Sequence, residues 1–241
     1  FKIEKENSPN WILNNSHIPY LPLNIESIPY QAMLAEAMEL DELYVKHRSK
    51  DSIGWASLCI HGITSQHTDH YAVYPEYANL TNEQVPYTWT EIQDRCPITV
   101  SFFKNIFPFT VYHRIRFMRL DPGGYRLPHS DSPDRGLRAV NISLNNPAGC
   151  TMVQEGVGIV PFEDSGSVML FNNTVKGSVQ FKINALSGIL LMNSIFLSII
   201  TLRPLGPKVT FTAFANASTP LFRPSRADRL KSIFFAILVI F

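Results

Sequence analysis

Arg116–Asp131, RFMRLDPGGYRLPHSD, followed by Leu137–Leu144, LRAVNISL, decides the fold. Val111–Leu120 has the texture of a strand, rich in β-branched and aromatic residues. Asp121-Pro122-Gly123-Gly124 then signals a turn, because proline suits the second position of a type II turn and glycine the third. Leu137–Leu144 alternates apolar and polar residues, as do parts of 149–155 and 166–171. A period of two marks a half-buried strand. Short strands separated by turn signals predict a mainly β chain of β-sandwich or jelly-roll type.

Helical patterns flank this region. Pro29–Arg48, PYQAMLAEAMELDELYVKHR, reads as a helix with Met33, Ala37, Met38 and Tyr44 near one face. Thr88-Trp89-Thr90-Glu91 has the capping-box pattern, which predicts a helix to about Arg95 and a second piece after Pro97. We read residues 1–28 as an extended lead-in and 29–180 as the main domain. Residues 181–241 read as a divergent or aberrant tail, or as the source of the last core strands.

Composition narrows the functional classes. A chain of 241 residues with 45% hydrophobic and 12% aromatic residues can fill a sizeable core. The formal net charge of +1 gives no global field for nucleic acid or an anionic membrane. The charge is unevenly spread, however. Residues 1–164 carry 19 of the 20 acidic residues, whereas 165–241 carry only Asp228 and eight basic residues. Cys59, Cys96 and Cys150 are few, odd in number and far apart, which fits a reducing compartment. Ile189–Leu202 and Ser232–Phe241 are apolar but fall short of the roughly 20 residues that a membrane helix needs. No signal peptide is visible, so the expected location is the cytoplasm.

The best local chemical signal is His129-Ser130-Asp131. Residues i and i+2 of a strand share a face. An imidazole and a carboxylate so placed can take adjacent positions on one metal, two-thirds of a facial triad for non-haem iron(II). A surface His and Asp beside a turn would give the same pattern. Arg138 shares its alternation with Val140, Ile142 and Leu144. A guanidinium on an apolar, inward face needs an anion, and a ligand carboxylate is a natural candidate. The alternative is an edge strand with Arg138 turned to solvent or to a distant Asp. A competing metal site is HGITSQHTDH, which holds His61, His67, Asp69 and His70, although its spacing matches no standard site. His113 reads as a core or cleft residue. Trp89 and Tyr125 are candidates to line a pocket mouth, or core or surface residues.

The run RFMRLDPGGYRLPHSD with LRAVNISL, and the later FEDSGSVMLFNNTVKGSV, resemble the aspartyl/asparaginyl β-hydroxylase family of iron(II)- and 2-oxoglutarate-dependent dioxygenases. HRSKDSIGW, Cys59-Ile60-His61-Gly62 and TWTEIQDRCP are similar to bacterial and viral members. The resemblance covers about residues 40–180. It implies a double-stranded β-helix, a jelly-roll core with flanking helices. It also implies iron(II), 2-oxoglutarate and O2 as cofactor and co-substrates, and a peptide or small-molecule substrate. His129 and Asp131 would be metal ligands, and Arg138 would bind the co-substrate. Met118 and Val140 are apolar where some members carry polar contacts to it.

One departure matters most. The family's second segment ends in a His that is the distal iron ligand, and in FNNTVKGSV that position is Gly177. No His follows His129 in the chain. The family's downstream Arg would fall near Ser187, and the next Arg is Arg203. Even losses around a metal ligand cost about 10- to 100-fold in affinity. The sequence therefore predicts either a hydroxylase of an Asp, Asn or related side chain, or an inactive relative that keeps a binding role.

Overall fold

The computed structural model describes residues 18–47, 52–108, 113–129, 137–160, 165–172, 177–181 and 234–240. Residues 1–17, Asp131, Ser187, Ile189–Leu202 and Arg203 lie outside them. The described chain is mainly β with two short α-helices, and every strand pair is antiparallel.

The strands are β1 (Tyr20–Leu23), β2 (Val45–Lys46), β3 (Ser52–Gly62), β4 (Thr88–Trp89), β5 (Arg114–His129) and β6 (Leu137–Ser143). They continue with β7 (Cys150–Gln154), β8 (Gly158–Val160), β9 (Val168–Asn172), β10 (Gly177–Phe181) and β11 (Phe234–Ile240). Their order is β1-β9-β6-β11-β5-β10-β7-β8, with β3 also pairing along β5 and carrying β2 and β4.

β5 divides this order into two runs. Its first half, Arg114–Leu120, pairs with β11, and its second half pairs with β10. The Asp121–Gly124 segment is thus a corner inside one long strand, where the sequence suggested a turn between strands. Gly123 has φ +77° there, as the third position of a type II turn requires. Gly124 is set by close approach. A Cβ would lie 2.7 Å from Leu120 Cδ1 and 2.8 Å from both the Asp121 and Ile53 carbonyl oxygens.

Two apolar layers follow from strand alternation. Leu58, Ile60, Ile115, Phe117, Val140, Ile142, Leu170 and Ile237 pack on one face of the first run, against the helices. Ala139, Met169, Phe171 and Ala236 point the other way and meet Val160, with Cys150 and Met152 of the second run at the edge. The second layer is the space between the two runs.

The helices are α1 (Tyr30–Glu39) and α2 (Pro97–Asn105). α1 is shorter than the pattern suggested, because the chain passes into a tight 3-10 turn at Asp41–Leu43 and then into β2. Pro97 opens α2, as a first turn tolerates. The α2 N-terminus is capped from a distance. Glu36 of α1 accepts hydrogen bonds from the backbone N–H groups of Ile98 (2.7 Å) and Thr99 (2.9 Å) and from the Thr99 hydroxyl (2.6 Å).

Thr88–Glu91 does not cap an α-helix, and the expected helix to about Arg95 is reduced to a 3-10 turn at Gln93–Arg95. Thr88 and Trp89 pair with β3, and Glu91 turns to Ser65, whose hydroxyl donates to it at 2.5 Å. Tertiary pairing has taken the carboxylate away from the local cap. Ser232–Phe241 supplies β11, which lies between β5 and β6. Among the described residues no helix is long and apolar enough to cross a membrane.

Candidate functional site

The most informative register lies in the second run. Gly177 of β10 is the Cα partner of His129 on one side and of Gln154 on the other. Directly opposed residues of antiparallel strands share a face. Gln154 alternates with Cys150 and Met152, which pack at the layer between the runs. His129 and Gln154 therefore share the inner face, separated by a residue with no side chain.

This line marks one rim of the molecule. The Gln154 amide Nε2 donates to the Pro19 carbonyl at 2.9 Å. On the other run, the Asn172 backbone N–H donates to the same carbonyl at 2.9 Å, and its Nδ2 donates to the Ile18 carbonyl at 3.2 Å. Residues 18–19 thus tie the ends of β7 and β9 together.

His129 is half-buried, and its Nδ1 lies 2.9 Å from the Leu127 carbonyl. A carbonyl only accepts, so Nδ1 carries the proton. In the neutral ring this leaves the lone pair on Nε2, the arrangement that metal-binding imidazoles use.

Arg126 adds a positive charge that alternation alone would have missed. It lies three residues before His129, which predicts opposite faces. The β5–β10 register shifts between these positions, however, so that Arg126 opposes Val179. Val179 in turn opposes Met152, which places Arg126 on the inner face, with 3% exposure. Gln154 was legible in the period-two pattern of Cys150–Gln154, but nothing local marked it as part of a site.

Other expected residues fall elsewhere or beyond description. Asp131 lies outside the described residues. Arg138 is on β6, where the pairing with β9 shifts between Leu137 and Ala139. Val140, Ile142 and Leu144, whose face Arg138 was expected to share, pack against the helices rather than between the runs. The Arg138 side chain itself lies outside the described residues. Val140 belongs to that helix-facing layer as well.

The histidines of HGITSQHTDH have separate partners. His61 donates Nδ1–H to the His113 carbonyl at 3.2 Å and stands edge-on to Trp89. His67 bonds Thr64 and packs on Tyr74. His70 accepts from the Ala72 N–H at 3.2 Å. Asp69 lies 3.4 Å from His47, in a buried cluster where Arg116 donates to the Thr68 carbonyl. Among the described residues no group of three His, Cys, Asp or Glu side chains could hold a metal ion. Tyr125 is paired with Ile53, an exposed residue, and so lies on the outer face.

The described rim offers one imidazole opposite a glycine. That donor set does not fit a complete facial triad for iron.

No protein-family model and no curated protein matches the chain. Among solved structures, it is similar to a Pseudomonas putida prolyl-4-hydroxylase at 15% identity, over 70% of this chain and 89% of that one, with a TM-score of 0.38. It is also similar to a 2OG-Fe(II) oxygenase-family oxidoreductase from Burkholderia pseudomallei, at 12% identity over 100% and 92% of the two chains, with a TM-score of 0.40. A third is the viral collagen prolyl hydroxylase of Paramecium Bursaria Chlorella virus-1, at 10% identity over 92% and 94%, with a TM-score of 0.38. At these scores and identities the likeness carries no weight for the site.

Proposed function

We propose that this chain descends from the aspartyl/asparaginyl β-hydroxylase branch of the 2-oxoglutarate- and iron(II)-dependent dioxygenases. The strand order, β9-β6-β11-β5 in one run and β5-β10-β7-β8 in the other, supports a jelly-roll core. One observation carries the site. His129 and the position expected for the distal ligand, Gly177, are cross-strand partners. Opposed side chains there lie about 4.5–5.5 Å apart at Cβ, close enough for two imidazoles to share one ion.

The reaction class is hydroxylation of an unactivated C–H bond of an Asp, Asn or related side chain in a peptide or small molecule. Iron(II), 2-oxoglutarate and O2 are the cofactor and co-substrates. His129 and Asp131 are the retained ligands, and Arg138 is the candidate for the co-substrate carboxylate. The glycine opposite His129 favours a second reading, a family relative that keeps a binding role without turnover.

Anaerobic addition of iron(II) and 2-oxoglutarate separates the two readings. A weak visible charge-transfer band in this chain supports catalysis and defeats the inactive reading. A band only in Gly177→His supports descent with a lost ligand. No band in either chain, with both folded, defeats the family assignment.

A further inference from the structure

His47 is held as a neutral imidazole in a buried cluster far along β5 from His129. It directly follows β2 and is 4% exposed. Arg116 Nη1 stands 3.2 Å from its Nε2. A guanidinium only donates, so Nε2 is the acceptor and the ring proton sits on Nδ1. Nδ1 faces the Thr68 hydroxyl at 3.2 Å and the Asp69 carboxylate at 3.4 Å. Both can accept, so the neutral ring is satisfied on both sides.

These contacts hold the segment that follows β3. Arg114 and Arg116 of β5 both donate to the Thr68 carbonyl, and Arg114 also donates to the Asp69 carbonyl at 2.5 Å. Beneath the segment lies Cys59, which is the cross-strand partner of Arg116 and is fully buried. Its thiol donates to the His67 carbonyl at 3.3 Å.

A second proton on His47 has one place to go, Nε2. There it removes the acceptor from Arg116 and sets an imidazolium against a guanidinium. The counter-charge is Asp69, which is farther away, already faces Nδ1, and has 34% of its side chain exposed. Solvent screens attraction to that carboxylate more than repulsion from the buried Arg116. The other charges facing the cluster do not restore the balance. Arg114 adds a further positive charge, Glu91 accepts from the Ser65 hydroxyl, and Glu76 faces His67 at 3.5 Å. The Cys59 thiol is neutral near pH 7, because burial raises its pKa to about 11. The Tyr74 hydroxyl is neutral there as well and accepts from the Asp69 N–H at 3.0 Å.

We propose that His47 is an acid-sensitive latch, whose protonation releases residues 66–69 from β5 and uncovers Cys59 while the sheet stays folded. A free imidazole titrates near 6.5, so the latch is closed above that pH and opens as pH falls below it. Glu91 is held below 4.5 and keeps Ser65 tethered through this range, which confines the opening.

Hydrogen exchange of the full chain between about pH 7.5 and 5, read by mass spectrometry over residues 64–74, tests this. The intrinsic pH dependence of exchange is divided out. Labelling of Cys59 by 4,4′-dithiodipyridine, which reacts in weak acid, gives a second readout relative to a free thiol. The expected result is an opening that grows up to about tenfold per pH unit below 6.5. Cys59 labelling rises in parallel, and exchange in β6 and β9 does not change. His47→Gln can accept from Arg116 and donate to Asp69 without titrating, so it abolishes the pH dependence, whereas His67→Gln retains it. A flat profile in the parent chain overturns the inference, whatever the variants do. So does a folded His47→Gln that opens like the parent, or a pH dependence lost in His67→Gln. Opening that comes only with loss of protection in β6 and β9 overturns it too, since the event is then unfolding.

Discussion

Gly177 lies directly across from His129 in the antiparallel β5–β10 pair. The two positions are 48 residues apart in the chain and form one cross-strand unit. A histidine placed at 177 therefore acts with His129 rather than alone. We predict that Gly177→His tightens cobalt(II) binding by at least about tenfold, and that most of this gain vanishes when His129→Ala is added. Isothermal titration of the four chains of this cycle measures the coupling. Additive effects would show that the two sites do not share an ion.

The β5 corner gives a stability prediction. A Cβ on Gly124 meets Leu120 and two backbone carbonyls inside 3 Å. Neither carbonyl can withdraw without breaking the corner. Gly124→Ala is expected to cost about 1–3 kcal/mol, read as a lowered urea midpoint. An unchanged midpoint would mean that the corner is not packed as described.

The tail can be tested through Ile237. This residue has 0% exposure and packs in the helix-facing layer from its place on β11 between β5 and β6. Ile237→Ala should destabilise by about 2–5 kcal/mol, and Ile237→Asp should unfold the domain. If both variants melt like the parent, residues 234–240 do not belong to the folded core.

Acid should weaken the fold in two stages. Burial holds the His61 pKa below its ordinary 6.5. The unfolded chain then binds this proton more readily than the native one. Stability is full above pH 6.5 and declines as pH falls from there toward the folded pKa. Glu91 is held below 4.5, chiefly by the Ser65 hydroxyl. Its contribution is present above pH 4.5 and is lost as pH falls through its folded value. Urea midpoints should drop first as pH falls below 6.5, and this upper step should flatten in His61→Gln. A flat profile in the parent chain over that range would refute the assignment.

The three cysteines should be inert in the native state. Burial pushes Cys59 up to about 11 and Cys96 and Cys150 up to about 12. Thiols react as thiolates, and these remain protonated near neutrality. Ellman's reagent at about pH 8 should report almost no thiol in the folded chain and all three in guanidinium. Rapid labelling of any one in the folded chain would contradict its burial.

The mainly β class was legible because alternation is a local property. Leu137–Ser143, Cys150–Gln154 and Val168–Asn172 became strands where period two predicted them. The corner at Gly123 and Gly124 was legible for the same reason, although not its place inside a single strand. Local signals failed where a distant group competed. Glu91 capped nothing because Ser65 claimed it, and the end of the long helix gave way to β2, which pairs with β3.

By itself, the sequence determined the strands around Val111–Leu120, Leu137–Ser143, Cys150–Gln154 and Val168–Asn172, the helix begun at Pro97, and the motif whose family resemblance singles out His129, Asp131 and Gly177. Each depends on neighbours within a few residues. Only the tertiary structure decided which residues share a face across strands. A register shift puts Arg126 on the inner side with His129, because one extra residue in a ladder inverts every side chain beyond it. Pairing between distant strands brought Gln154 into line with His129 through Gly177, a relation that no local pattern encodes.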